Sequence, residues 1–307
     1  MAELKGVVAA AATPLHPDFS IDHGKLVAHC RWLLGEGGCN GVNLLGTTGE
    51  ATSFSVEQRL AAMKVVATAG LPLRQIMVGT GAAALPDTLA LTAAARDLGF
   101  AGALLLPPFY YKGIDPRALA DFVATIIRRL GSRGLRLYLY HIPQNTGVPY
   151  PIEVVERLHA EHADVVVGLK DSAGDLAFSR ELARRLPGFH VFPGSEASLA
   201  ESRRSGFAGC ISATTNITGA LAQIGWRDPD GEGGRQAIAD AAAIRDVLAK
   251  LPLVCSVKAA LADLRSDPAW ALASPPLRTL DDAERNALLA NLAATAYRRL
   301  AAPVTKR

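Results

Sequence analysis

The sequence predicts an α/β fold of the (β/α)8 barrel type with a C-terminal helical extension. Three observations predict it. Short β-like runs alternate with amphipathic helical stretches about eight times within about 225 residues. The runs are apolar throughout rather than alternating, as strands covered on both faces should be. The one turn that invites a dinucleotide reading, GTGAAA after the third run, does not complete G-x-G-x-x-G. Strand closure is not written in the pattern, so an open doubly wound sheet stays as the alternative.

The elements follow in order. GVVAAAATP (6–14) is the first strand, and a helix spans about 22–36. GVNLL (41–45) leads into GTTGEAT and a helix opening at Ser55, where Gln58 three residues on completes the form of a capping box. QIMVGT (75–80) precedes a helix over 86–98. GALLLP (102–107) precedes a helix from Asp115, an N-cap followed by proline. RLYLYHIP (136–143) precedes a helix from Pro151, and VVVGLK (165–170) a helix from about Asp175. HVFPG (190–194) precedes a helix from Glu196, and GCISAT (209–214) a further helical stretch. GWRDPDGEGG (225–234) is dense in Gly, Asp and Pro and reads as a break. Helical sequence resumes at 235–251, 256–264 and 281–300. The chain therefore divides into a catalytic barrel over 1–224 and a helical unit over 225–307, packed on the barrel or on a neighbouring subunit.

Composition excludes several function classes. The chain has 307 residues, half of them hydrophobic, and a formal net charge of +3. Its basic residues are dispersed, and the pairs Arg128-Arg129, Arg184-Arg185 and Arg203-Arg204 read as solvated helix ends, so no nucleic acid is expected. No run reaches membrane-spanning length without a charge or a breaker. Cys30, Cys39, Cys210 and Cys255 have no metal-ligand spacing and read as free thiols of a cytoplasmic protein. His159 and His162 are three apart on a helix without an acidic or cysteine partner, and read as surface residues rather than a metal pair.

In a barrel the active site lies at the C-terminal strand ends. There the sequence places Gly46-Thr47-Thr48-Gly49-Glu50, Phe109-Tyr110-Tyr111, Tyr140-His141, Lys170-Asp171, Gly194-Ser195-Glu196, and Ser212 with Thr214. Taken singly, each is bland. Lys170 reads as a strand-end lysine snorkelling to water. Tyr110 and Tyr140 read as rim residues, GTTGE as a strand-to-helix turn, Glu50 as a hydrogen-bond acceptor for that turn, and Ser172–Gly174 as a plain turn. Together they suit carbonyl chemistry through an imine. An amine at the dry end of an apolar strand is held toward its neutral, nucleophilic form. Tyrosine and threonine hydroxyls relay protons. The GTTGE turn offers N–H groups and two hydroxyls to a carboxylate. The reading is a lysine-imine enzyme acting on a 2-oxo acid.

GTTGE (46–50), PFYY (108–111), Y-x-I-P-x-x-T-G (140–147), GLKD (168–171) and GCIS (209–212), in this order, resemble the dihydrodipicolinate synthase / N-acetylneuraminate lyase family over nearly the whole chain. The resemblance implies a class I aldolase-type barrel, a homotetramer built as a dimer of dimers, with no metal or organic cofactor. It makes Lys170 the Schiff-base lysine that captures pyruvate or another 2-oxo acid, and Tyr140 the tyrosine handling protons beside the imine. It makes Thr47 and Thr48 the carboxylate-holding pair, with the Thr48 hydroxyl in the proton relay. Tyr110 becomes the tyrosine that reaches a neighbouring subunit's site, with Tyr111 the candidate if the register is off by one. Ile211 lines the pyruvate pocket.

One position departs. Where the synthases carry an arginine for the carboxylate of aspartate semialdehyde, this chain has Asn145, and an amide cannot supply a guanidinium's charged fork. At the strand-seven end, Ser195 and Glu196 stand where lyases carry acids for a polyhydroxyl tail. The leading expectation is a lyase of the 4-hydroxy-2-oxoglutarate or 2-keto-3-deoxy sugar acid type, acting on 2-oxo acids and aldehydes. The alternatives are the synthase, a sugar-acid dehydratase and a non-catalytic 2-oxo acid sensor.

Overall fold

In a computed structural model of the chain, residues 4–300 are described. The ends of the two-unit division, residues 1–3 and 301–307, lie outside the described residues. Eight parallel strands, β1 (Gly6–Ala10), β2 (Gly41–Leu44), β3 (Ile76–Gly79), β4 (Gly102–Leu105), β5 (Leu137–His141), β6 (Val166–Asp171), β7 (His190–Pro193) and β8 (Gly209–Ser212), run in the order β7-β6-β5-β4-β3-β2-β1-β8. The pairing of β8 with β1 curls the sheet round on itself. Between β7 and β8 no ladder forms among the described residues, and the Ala208 N–H just ahead of β8 donates to the Val191 carbonyl at 2.9 Å. The result is a nearly closed barrel.

Helices fill the connections: α1 (His23–Leu34), α2 (Val56–Thr68), α3 (Leu85–Asp97), α4 (Pro116–Leu130), the short α5 (Pro143–Thr146), α6 (Ile152–Glu161), α7 (Leu176–Arg185), the short α8 (Ser202–Ser205) and α9 (Thr215–Arg227). Their starts follow local chemistry. Asp22 caps α1 by accepting from the Lys25 N–H, Ser55 and Gln58 form a reciprocal capping box, and Asp115 caps α4 ahead of Pro116. Alternate strand residues serve two cores. Val7, Leu44, Leu139 and Leu169 face outward to the helices, while Val8, Met77, Leu104, Tyr138 and Phe192 fill the barrel interior.

Beyond α9 come α10 (Glu232–Leu248), α11 (Leu253–Leu264), α12 (Asp282–Ala293) and α13 (Tyr297–Leu300). Ile244, Leu248, Val257, Leu261, Trp270, Leu288 and Tyr297 make a second core among them, joined by Ala12 and Ile217. No helix among the described residues is long and apolar enough to cross a membrane. All four cysteines are free and buried. His159 is held inward, its Nδ1 2.8 Å from the Val166 carbonyl oxygen.

Three segment expectations are corrected. The break at 225–234 is far shorter, because α9 continues to Arg227 and α10 begins at Glu232. Gly225 is there for close packing: a Cβ on it would lie 2.4 Å from Ile238 Cγ1 on α10. The stretch from Glu196 is a 3-10 turn (Glu196–Glu201) followed by α8, not one helix. Ser198 and Ser202 hydroxyls bond back three residues, to the Ser195 and Leu199 carbonyls at 2.6 and 2.9 Å, and favour that tighter winding. The stretch 281–300 divides, with Thr295 bonding back to the Leu292 carbonyl at the break.

Candidate active site

The cleft at the C-terminal strand ends is built around a pair of side chains set by strand register. Lys170 and Tyr140 are directly paired on β6 and β5, and both point into the barrel. That pairing depends on a one-residue bulge: Leu137 pairs with Val166, but Tyr138 pairs with Gly168, so Val167 is looped out. Without the bulge, Leu169 would stand opposite Tyr140. Gly168 is required beside it, since a Cβ there would lie 2.6 Å from both the Tyr138 ring and the His190 carbonyl oxygen. Lys170 is only 4% exposed. Its Nζ sits 4.4 Å from the Tyr140 ring centroid. The snorkelling reading of this lysine is therefore excluded.

Burial pushes the Tyr140 phenol up. The Lys170 charge, with hydrogen bonds from Thr47, Ser172 and Lys170, outweighs it and holds the phenol below its usual range.

The GTTGE turn closes the opposite side. Thr47 Oγ1 donates to the Tyr140 oxygen at 3.3 Å. Thr48 is buried and lines the cleft, but among the described residues it makes no hydrogen bond to Tyr140. The hydroxyl against the tyrosine is that of Thr47, where Thr48 was expected. The backbone N–H groups of Thr47 and Thr48 have no partner among the described residues and remain for a carboxylate. Glu50 ends the turn in the left-handed region, at φ 56°. The reading of Glu50 as an acceptor within the turn is corrected: its carboxylate reaches the C-terminal segment. It accepts from Lys258 Nζ on α11 and from the Ser274 N–H at 2.6 Å, and Lys258 also donates to the Thr13 carbonyl at 3.0 Å. Sequence reading missed Lys258, whose partner lies 208 residues away.

Behind β6, Asp171 points outward. It accepts from the Ser179 hydroxyl at 2.6 Å and the Ala173 N–H at 2.9 Å, which fixes the strand end. His141 also faces outward, stacked on Phe178 at 4.3 Å, with Nδ1 accepting from the Tyr150 N–H. Asn145 lies exposed on the rim beside Gln144, which donates to the Ser172 carbonyl at 2.6 Å. Ile211 is buried in the cleft wall. Tyr110 and Tyr111 stand apart from the cleft of their own chain, 74% and 73% exposed and packed edge-to-face at 5.2 Å.

At the strand-seven end, Ser195 lines the cleft and Glu196 does not. The Glu196 carboxylate is fully buried behind the wall, where it accepts from the Ser212, Thr214 and Thr218 hydroxyls at 2.6 Å each. The C-terminal segment completes the cleft with Arg245 from α10 and with Pro252, Leu253, Val254 and Leu277, none of which the sequence singled out. The whole cleft has a volume of about 510 Å³. It presents one buried amine, one acidified phenol and a turn with free N–H donors, a set that suits capture of a 2-oxo acid as an imine. Among the described residues no group of three His, Cys, Asp or Glu side chains stands together as a metal-ligand set.

Comparison with known proteins agrees with this fold. The model of the dihydrodipicolinate synthetase family matches residues 3–295. An uncharacterized DapA-like lyase of Chloroflexus aurantiacus is 37% identical over 99% of this chain and all of its own. The dihydrodipicolinate synthase of Agrobacterium tumefaciens superposes with a TM-score of 0.87 at 27% identity, covering 94% of this chain and 98% of its own. The chloride-inhibited dihydrodipicolinate synthase of Acinetobacter baumannii, complexed with pyruvate, gives 0.83 at 28% identity, covering 94% and 98%.

Proposed function

The chain belongs to the dihydrodipicolinate synthetase family, and we propose that it is a lyase that cleaves or forms a carbon–carbon bond to pyruvate through an imine on Lys170. One observation carries the reading: a buried amine placed by register against a phenol held below its usual range.

In the cleavage direction the Lys170 amine attacks the C2 ketone of a 4-hydroxy-2-oxo acid, and water leaves as the imine forms. Tyr140, with its phenol already drawn toward the anion, accepts the C4 hydroxyl proton. The C3–C4 bond breaks, C4 becomes the aldehyde carbon, and its bonding pair moves through C3 into the imine to give an enamine. C3 then takes a proton, and water hydrolyses the imine to pyruvate and free lysine. The Thr47–Thr48 turn holds the C1 carboxylate on its free N–H groups, and Thr47 orients the Tyr140 oxygen. Ile211 contributes apolar wall beside the reacting carbons. Asn145 and Ser195 are rim contacts for the departing half, and Glu196 acts behind the wall.

We assign the exposed Tyr110 to a neighbouring subunit's site within a homotetramer, since two adjacent tyrosines this exposed are an unusual apolar surface for a monomer. Condensation with aspartate semialdehyde is the second reading, favoured by likeness to the synthases and opposed by Asn145. Expulsion of a hydroxyl from a sugar-derived 2-oxo acid uses the same imine.

Borohydride reduction after incubation with pyruvate, followed by peptide mass mapping, tests the proposal. A reduced pyruvate adduct on Lys170, lost in Lys170→Ala, is expected. Folded wild-type protein that yields no adduct at saturating pyruvate overturns it. Parallel assays of aldol cleavage, semialdehyde condensation and dehydration then rank the three reactions.

A further inference from the structure

The C-terminal segment puts a cation in the cleft that strand-end reasoning did not find. Arg245 stands on α10 and lines the same cleft as Lys170. Both N–H groups of Nη1 are used: they donate to Ser212 Oγ and Thr214 Oγ1, each at 3.1 Å. These two hydroxyls in turn donate to the buried Glu196 carboxylate, which lies 3.8 Å from Nη1. The arginine is therefore held along one edge by a charge and two hydroxyls that stand behind the cleft wall.

The other edge is free. Among the described residues, nothing accepts from Arg245 Nε or Nη2, and the side chain keeps 24% exposure. That is the edge a guanidinium offers to a carboxylate as two parallel hydrogen bonds. Among the described cleft-lining residues, Lys170 and Arg245 are the two cations. In the imine reading Lys170 becomes bonded to C2, and the C1 carboxylate goes to the Thr47–Thr48 turn. Arg245 is left for a second anion. It is anchored at the end of β8, two strand spacings from β6, on the order of 10 Å, which suits the far end of a short substrate rather than C1. A single fork also matches a singly charged carboxylate.

We infer that Arg245 is a specificity-determining residue that selects 2-oxo acids ending in a second carboxylate over those ending in hydroxyls. The inference rests on the imine reading of Lys170. It also gives the exposed amide of Asn145 a different meaning: the anion-recognising cation is present, but on α10.

The test compares retro-aldol kcat/KM for 4-hydroxy-2-oxoglutarate and for a 4-hydroxy-2-oxo acid of equal chain length ending in a hydroxyl. It uses the wild type, Arg245→Gln and Arg245→Lys, with pyruvate trapping measured on each. Wild type is expected to favour the dicarboxylate by at least about tenfold. Arg245→Gln should raise the dicarboxylate KM by about 10–100-fold, with a smaller effect on kcat. Arg245→Lys should recover part of the loss, because it keeps the charge that faces Glu196 but not the fork. If Arg245→Gln fails to fold, the wild-type ratio and Arg245→Lys still decide. A wild type that prefers the hydroxyl-ended substrate, or variants that lose both substrates equally, overturns the inference while trapping on Lys170 leaves the imine reading standing. Absence of trapping in the wild type overturns both.

Discussion

Replacing Lys258 with methionine tests how the C-terminal segment supports the carboxylate-binding turn. Both side chains of the Lys258–Glu50 pair are fully buried. Burial pulls the Lys258 amine below the usual lysine range, and Glu50 pulls it back. In Lys258→Met, Glu50 keeps the Ser274 N–H but loses its cation partner, and the Thr13 carbonyl loses the Lys258 donor. Breaking a buried pair from one side costs about 3–5 kcal/mol, since a buried charge is left uncompensated. Glu50 also sits in the left-handed region two residues after Thr48, a conformation that persists only while its surroundings fix it. The turn should therefore loosen, raising KM for the 2-oxo acid as well as lowering stability. Urea denaturation of wild type, Lys258→Met, Glu50→Gln and the double variant measures the coupling. Each single variant should lose several kcal/mol, and the double variant should lose less than their sum by at least ~2 kcal/mol. Losses additive within about 0.5 kcal/mol would refute the reasoning, because independent sites behave that way.

Two further outcomes are expected. Tyr140→Phe removes the proton acceptor but not the amine, so kcat should fall by about 10²–10⁴-fold while borohydride trapping of pyruvate on Lys170 persists; a kcat within tenfold of wild type refutes the assignment. His29 is held neutral by burial and by the Arg265 charge, which push its pKa down from 6.5 to about 3 against the pull of Asn216. Its folded pKa is depressed, so its contribution to stability is fully present above pH 6.5 and is lost as pH falls toward 3. The unfolded chain takes up the proton there, at up to about 1.4 kcal/mol per pH unit. In His29→Gln, the stability profile from pH 6.5 to 4.5 should be flatter than wild type by about 2 kcal/mol.

The sequence by itself determined the layered α/β plan and half of the site. Strand runs apolar on both faces and helix caps such as Ser55–Gln58 are local or periodic signals, so they survive being read along the chain. Lys170, Tyr140 and the Thr47–Thr48 turn were legible for a related reason: a barrel gathers its strand ends, so position at a strand end predicts convergence. Tertiary structure alone decided the rest. Whether Tyr140 meets Lys170 depends on a bulge that moves register by one residue, and no composition marks it. That Thr47 rather than Thr48 bonds the tyrosine depends on how the turn is held, which Glu50 and Lys258 settle across 208 residues. Glu196 sits at a strand end yet points behind the wall, because three hydroxyls, from the end of β8, the β8–α9 turn and α9, enclose it. Arg245 sits on an ordinary amphipathic helix and enters the cleft only because α10 docks on α9, where Gly225 lets Ile238 approach. Long-range packing of this kind leaves no periodic trace in the chain, and in this protein it sets what the captured 2-oxo acid meets next.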